Sequence, residues 1–187
     1  KDTFHHAFEY SDCWVDDARF VVLNARDAAD RGATILPRTE VVAVREEGAV
    51  WAITLEDAAG RREVTARAVV NAAGPWVDRV LGGAFGHNDA HHVRLVQGSH
   101  IVVRQKFAHD RAYIFQNADN RIIFAIPSEG DFTLIGTTDR DFEGDPRDAS
   151  ISPEETQDLC DSASGYFREP VRLGDIGWSC GGVRPVY

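Results

Sequence analysis

The sequence has no methionine, three cysteines, and no apolar run approaching ~18 residues. Each shortage excludes something. Cys13, Cys160 and Cys180 are odd in number, widely spaced and without a CxxC pair. That excludes a disulfide framework and a cysteine zinc site, and it points to a reduced, cytoplasmic setting. With no long apolar run and no secretory leader, no segment reads as a bilayer-spanning helix. Basic residues are scarce, 20 Lys plus Arg against 30 Asp plus Glu for a formal charge of −10. A nucleic-acid groove or a polybasic membrane patch needs the opposite excess, although a small basic pocket for an anionic metabolite is compatible with it. P-loop, GxSxG, HExxH and GxGxxG motifs are all missing. Lys1 stands where a Met would start a chain, and the sequence stops inside the apolar run Gly182–Tyr187. Natural termini usually trail into polar residues, so a piece of a longer protein is expected.

What is present is ordinary globular material: 187 residues, 43% apolar and 27% charged. At ~150 residues per domain this is one large domain or two small ones, and a core burying about 70% of the unfolded surface needs no staple.

Asp16-Asp17 precede a helical period in which Ala18, Val21, Val22, Ala25, Ala28 and Ala29 make one apolar face, with Gly32 as its stop. Thr34-Ile35-Leu36 reads as a short buried strand. Residues 40–45, 50–56 and 62–70 then alternate as a β-meander, turning at Gly48 and at Asp57–Gly60. Its third run ends in Ala68-Val69-Val70-Asn71-Ala72-Ala73-Gly74, the pattern of a buried strand whose end meets something closely. A Gly- and His-bearing loop at 82–92 is the natural boundary. After it, 93–103 reads as one or two strands broken near Gly98, and 111–116, 121–126 and 132–137 as a second meander. Ser152-Pro153-Glu154-Glu155 is a full helix start for a helix to about Phe167, and a last strand near 175–179 leads into Cys180–Arg184. The predicted class is α+β, with a small α/β part over 1–81, a mostly antiparallel part over 82–180, and a return strand over 181–187.

Four constellations could carry chemistry. Asn71–Trp76 could let a flat cofactor touch the backbone, or be a tight corner. His100, among strand-forming neighbours, could be a general base or a hydrogen-bonded core residue. Arg184, framed by Gly181, Gly182 and Pro185, could clamp a phosphate or carboxylate in a bidentate pair, or lie free at the surface. Thr137-Thr138-Asp139 offers two hydroxyls and a carboxylate, or simple turn chemistry. His87, Asp89, His91 and His92 fit no structural zinc spacing, and no metal is expected. No cysteine has a flanking base that would activate it.

The segments Tyr10–Arg19, Val70–Val77, Gln97–Val103, Ile135–Asp139 and Gly182–Pro185, in that order, resemble the FAD-dependent (aerobic, quinone-linked) glycerol-3-phosphate dehydrogenases. The resemblance covers nearly the whole chain, although the Ala-Ala-Gly corner alone is shared with amine and amino-acid oxidases. It implies that residues 1–81 are the middle of a FAD-binding domain whose pyrophosphate loop lies upstream. Residues 82–180 are then an antiparallel substrate cap with helices on one face. It further implies that Val41 or Val42 passes the adenine, that Ala72, Ala73, Gly74 and Trp76 line the cofactor, and that His100 and Arg184, with Thr137 and Thr138, line the substrate pocket. Cys180-Gly181 departs from the hydroxyl or aromatic pair usual before the Gly-Val-Arg-Pro stretch. The implied reaction oxidises glycerol 3-phosphate to dihydroxyacetone phosphate, with electrons passed to quinone at the cytoplasmic face of a membrane that the intact protein touches peripherally. A second basic group is implied downstream of Tyr187. An oxidase of another small anion, such as an amino acid, is the alternative within the class. The isolated chain, without half of a flavin site, is expected to be colourless and inactive, at most an anion-binding module.

Overall fold

The computed structural model describes residues 4–87 and 92–187, so Asp89 and His91 lie outside the described residues. The chain divides into two compact units, residues up to 70 with 83–86, and residues 71–82 with 87–187.

The first unit opens with helix α1 (Asp17–Asp30). The Asp16 carboxylate accepts the Arg19 N–H at 3.0 Å, satisfying one of the orphan donors of the first turn. Gly32, at φ +94°, ends the helix where a side chain would be strained. The apolar face expected to be buried is not: no residue of α1 is buried, and Val21 and Val22 are 66% and 65% exposed. The strand expected at 34–36 is also not formed, and Ile35 and Leu36 are exposed. Three residues hold as a strand only when a neighbour takes up their N–H and C=O groups, and among the described residues none does.

The meander forms as the period predicts, with β1 (Glu40–Glu47), β2 (Val50–Asp57) and β3 (Gly60–Ala66) in an antiparallel sheet of order β1-β2-β3. Gly48, at φ +62°, makes the first turn. Val44, Ala52, Ile53, Leu55 and Ala84 are buried, and the Val44 N–H donates to the Ala84 carbonyl at 2.7 Å. On the outside, Arg45 bridges Glu47 at 2.8 Å and Glu63 at 2.7 Å. β3 stops at Ala66, so 68–73 is not the buried strand its apolar run suggests; Val70 is 86% exposed.

The second unit begins with a single 3₁₀ turn at Gly74–Trp76 and the short helix α2 (Val77–Gly83). Its sheet contains β4 (Arg94–Arg104), β5 (Tyr113–Gln116), β6 (Ile122–Ser128), β7 (Phe132–Gly136), β8 (Arg140–Asp141) and β9 (Ile176–Val186). The order is β5-β6-β7-β4-β8, with β9 also pairing β4. β4 is the centre and runs unbroken through Gly98, where a break was expected. Continuous pairing with β9 from Arg94↔Val186 to Val102↔Trp178, with a register shift only before Val103↔Ile176, carries it through. The same pairing makes Cys180–Arg184 part of the last strand rather than a segment after it.

Helix α3 (Pro153–Tyr166) starts on a complete capping box: the Glu155 N–H donates to Ser152 Oγ at 3.1 Å, and the Ser152 N–H to Glu155 Oε2 at 3.0 Å. The helix covers one face of the sheet. Ile101, Val103, Ile123, Ala125 and Ile135 from the strands pack with Leu159, Cys160 and Ala163 from α3, and with Val171. A buried aliphatic side chain here contributes about 1.5–3 kcal/mol. Strand period two therefore assigns the faces. Odd positions of β4 serve this core, and Gly98, His100 and Val102 face the other way.

Candidate active site

On that other face, His100 is flanked by Gly136 of β7 and Cys180 of β9. A Cβ on Gly136 would lie 2.2 Å from His100 Cδ2, so the imidazole rests on bare backbone. One step along β4, a Cβ on Gly98 would meet Thr137 Oγ1 at 2.5 Å and Arg184 Nη1 at 3.6 Å. Arg184 itself pairs with Val96 on the neighbouring strand and leans across Gly98. Two glycines thus let an imidazole and a guanidinium lie down on one sheet face, though 84 positions of sequence separate them.

The two side chains feel each other. Burial pushes the His100 pKa below its ordinary 6.5, and the Arg184 charge lowers it further. Both effects penalise the imidazolium. Among the described residues neither ring nitrogen has a hydrogen-bond partner. A neutral, half-buried imidazole with unengaged nitrogens can accept a proton. Arg184 is half exposed, with one side of its guanidinium 3.5 Å from Asp139 Oδ2, and the rest can take an oxyanion.

Thr137 joins this group, its hydroxyl donating to the Thr138 carbonyl at 3.0 Å. Thr138, expected beside it, serves the opposite face. Its buried hydroxyl accepts the Ser99 N–H at 2.9 Å and donates to Glu155 Oε1 at 2.7 Å, so its one proton is committed on that face. Glu155 also accepts the Ser99 hydroxyl at 2.9 Å and the Gln97 amide at 3.3 Å, and pairs with Arg140 at 3.4 Å. Burial alone raises the pKa of this carboxyl. The Ser152 amide, the Thr138 and Ser99 hydroxyls and the Arg140 charge outweigh it, leaving the net value below the ordinary range. In sequence Glu155 is legible only as a helix cap, because its partners Ser99 and Thr138 are distant in the chain. Gly136 carries no signal for the histidine it supports.

At the corner before α2, Asn71 accepts the Ala73 N–H at 3.3 Å and donates to the Val77 carbonyl at 3.0 Å. Gly74 stands at φ +53°, and the turn packs beside β9. The Trp76 indole N–H donates to Asp145 Oδ1 at 3.4 Å. Ala72 and Ala73 leave the backbone nearly bare. Val41 and Val42 belong to the other unit, at a register shift of β1 that leaves Val42 without a cross-strand partner. His92 Nδ1 lies 3.2 Å from Asp78 Oδ1. Among the described residues no cluster is arranged to hold a metal. Burial raises the thiol pKa of Cys160 and of Cys180, which keeps both protonated.

All of residues 1–187 match the family described as FAD dependent oxidoreductase. The chain belongs to the FAD-dependent oxidoreductase family. Among curated relatives of this family, glycerol-3-phosphate dehydrogenase of Pseudomonas aeruginosa is 46% identical over 187 residues, 100% of this chain and 36% of that protein. D-erythritol 1-phosphate dehydrogenase of Brucella abortus is 45% identical over 188 residues, 100% of this chain and 38% of that protein. The crystal structure of Bacillus halodurans glycerol-3-phosphate dehydrogenase complexed with FAD superposes with a TM-score of 0.79 at 30% identity, covering 91% of this chain and 35% of that one. The chain thus spans a little over a third of the length of these relatives.

Proposed function

We propose that this chain is part of a flavoenzyme that oxidises a small phosphorylated alcohol, glycerol 3-phosphate, to dihydroxyacetone phosphate. The observation that carries the reading is the convergence of the His100 ring and the Arg184 guanidinium on one glycine-floored face. FAD fits the residues present. Gly182, across from Gly98, has nothing within 4 Å of a Cβ position, so a planar group could approach that backbone. Within this unit Ala72, Ala73, Gly74 and Trp76 are the residues that would hold it. When bound, FAD supplies the acceptor for the C2 hydride.

This chain's own residues do the rest. Arg184 takes two phosphate oxygens in a fork that only a guanidinium offers. Thr137 gives a hydroxyl beside it. His100, neutral at physiological pH, accepts the proton of the C2 hydroxyl at a ring nitrogen as the C–H bond breaks. A guanidinium keeps its proton and is a poor base, so the proton goes to the imidazole. Onward transfer to a quinone at the cytoplasmic face of a membrane belongs to this proposal and rests on the sequence resemblance. No helix among the described residues is long and apolar enough to cross a membrane.

The test uses the full-length, FAD-loaded protein under anaerobic conditions. Glycerol 3-phosphate is expected to bleach the flavin. Faster bleaching by D-erythritol 1-phosphate would move the substrate to the longer polyol phosphate, and bleaching by glycine in preference to either would overturn the phosphate reading.

A further inference from the structure

Between β7 and β8 the chain carries one residue more than β4 has opposite it. His100 pairs with Gly136 and Gln97 with Arg140, so residues 137–139 stand against 98–99. Such a bulge breaks the strict alternation of faces, and something must decide which of its side chains points where. Here Thr137 and Asp139 turn to the His100 face. Thr137 Oγ1 lies over Gly98, and Asp139 Oδ2 is 3.5 Å from Arg184 Nη2. Thr138, between them, turns to the α3 face.

No ordinary ladder holds this bulge. The Ser99 N–H goes to the Thr138 hydroxyl at 2.9 Å, and the Thr138 N–H reaches the Ser99 carbonyl only at 3.4 Å. The hydroxyl is oriented in turn by Glu155 Oε1 at 2.7 Å, which also accepts the Ser99 hydroxyl at 2.9 Å. Glu155 is 5% exposed and fixed by its own capping box on α3. A buried carboxylate held this way transmits the position of the helix to the strand.

We propose that Glu155, acting through Thr138, is a positioning residue: it sets the phase of the 137–139 bulge, which places Thr137 and Asp139, and through Asp139 the Arg184 guanidinium, beside His100. The inference rests on the reading of Arg184 as the phosphate-holding group. It adds a residue on the far side of the sheet that touches neither substrate nor cofactor.

The test compares Thr138→Val, which keeps the shape and removes the hydroxyl, with Thr138→Ser, which restores the hydroxyl, in the full-length FAD-loaded protein. Leu159→Ala, in the core under the same helix, is the control for lost stability, read from the thermal midpoint. One readout is the dissociation constant of inorganic phosphate by calorimetry. The other is the pH inflection of anaerobic flavin reduction. Thr138→Val is expected to weaken phosphate at least fivefold and to move the inflection upward, as Arg184 is released from the vicinity of His100. Thr138→Ser should stay within twofold of the parent. Leu159→Ala should lower the midpoint while phosphate affinity stays within twofold. A Thr138→Val protein with parental phosphate affinity and parental inflection overturns the positioning role, as does an equal loss of phosphate affinity in Leu159→Ala. Arg184→Ala separates the two ideas. If it leaves phosphate affinity unchanged, the functional reading fails while the inflection still decides the positioning role. If it weakens phosphate and Thr138→Val moves neither readout, the positioning role alone fails.

Discussion

Arg184 lowers the pKa of His100 across one sheet face, and the burial of the ring acts in the same direction. Folding therefore favours the neutral imidazole, the form able to take a proton. The sign follows directly: with the folded pKa below 6.5, the unfolded chain binds more protons in the interval between the two values, so stability rises with pH across it. Flavin reduction in the full-length protein is expected to rise with pH along a limb centred below 6.5 and to level off at neutrality. Replacing Arg184 by Gln should move that limb upward, toward the ordinary histidine value. A limb that does not respond to this change would mean that the two groups are uncoupled in the working enzyme.

Arg184→Ala is expected to cost affinity for glycerol 3-phosphate far more than for glycerol, because only the phosphate ester supplies a dianion for the fork. Steady-state kinetics on both alcohols read the difference. Equal losses would take the phosphate away from this side chain.

Gly136→Ala should reproduce much of the effect of His100→Ala without touching the histidine. General-base loss is typically worth about 10²–10⁴-fold in rate, and a Cβ at 136 would occupy space 2.2 Å from the ring carbon. Circular dichroism should show the sheet intact in the slow variant. An active Gly136→Ala protein would show that the imidazole works from elsewhere.

Two stability variants probe α3. Ser152→Ala removes the N-cap and is expected to cost about 1 kcal/mol. Leu159→Ala, at a fully buried position, is expected to cost about 2–5 kcal/mol. Denaturant midpoints check both, and the reverse order of magnitudes would mean that the helix packs less tightly than its burial implies.

Local chemistry was legible in the sequence wherever it is settled within a few residues. The Ser152–Glu155 box, the Asp16 cap with its Gly32 stop, and the two meanders all appear where their signals stand. The failures share a cause. The apolar period of α1 and the runs at 34–36 and 68–70 state a preference for burial, but burial needs a neighbour, and the described residues supply none. At Gly98 the composition argued for a break, and pairing with β9 overrode it. His100 and Arg184 could be singled out as candidates from their neighbours and the family resemblance, and the structure brings them to one sheet face. Thr138 could not be told from Thr137, because a single extra residue in a strand decides which of two adjacent hydroxyls lies on the His100 face.

Phe20, Val21, Val22 and Leu23 follow one another on α1, all more than half exposed. At about 100° per residue they step around most of the helix circumference, so the greasy surface is a collar rather than a stripe. Such a collar adheres to whatever apolar matter it meets, including other copies. Purified alone, this stretch of protein should behave as a colloid problem before it behaves as a biochemical one, and dilution, detergent and salt will then govern its assays as strongly as any substrate.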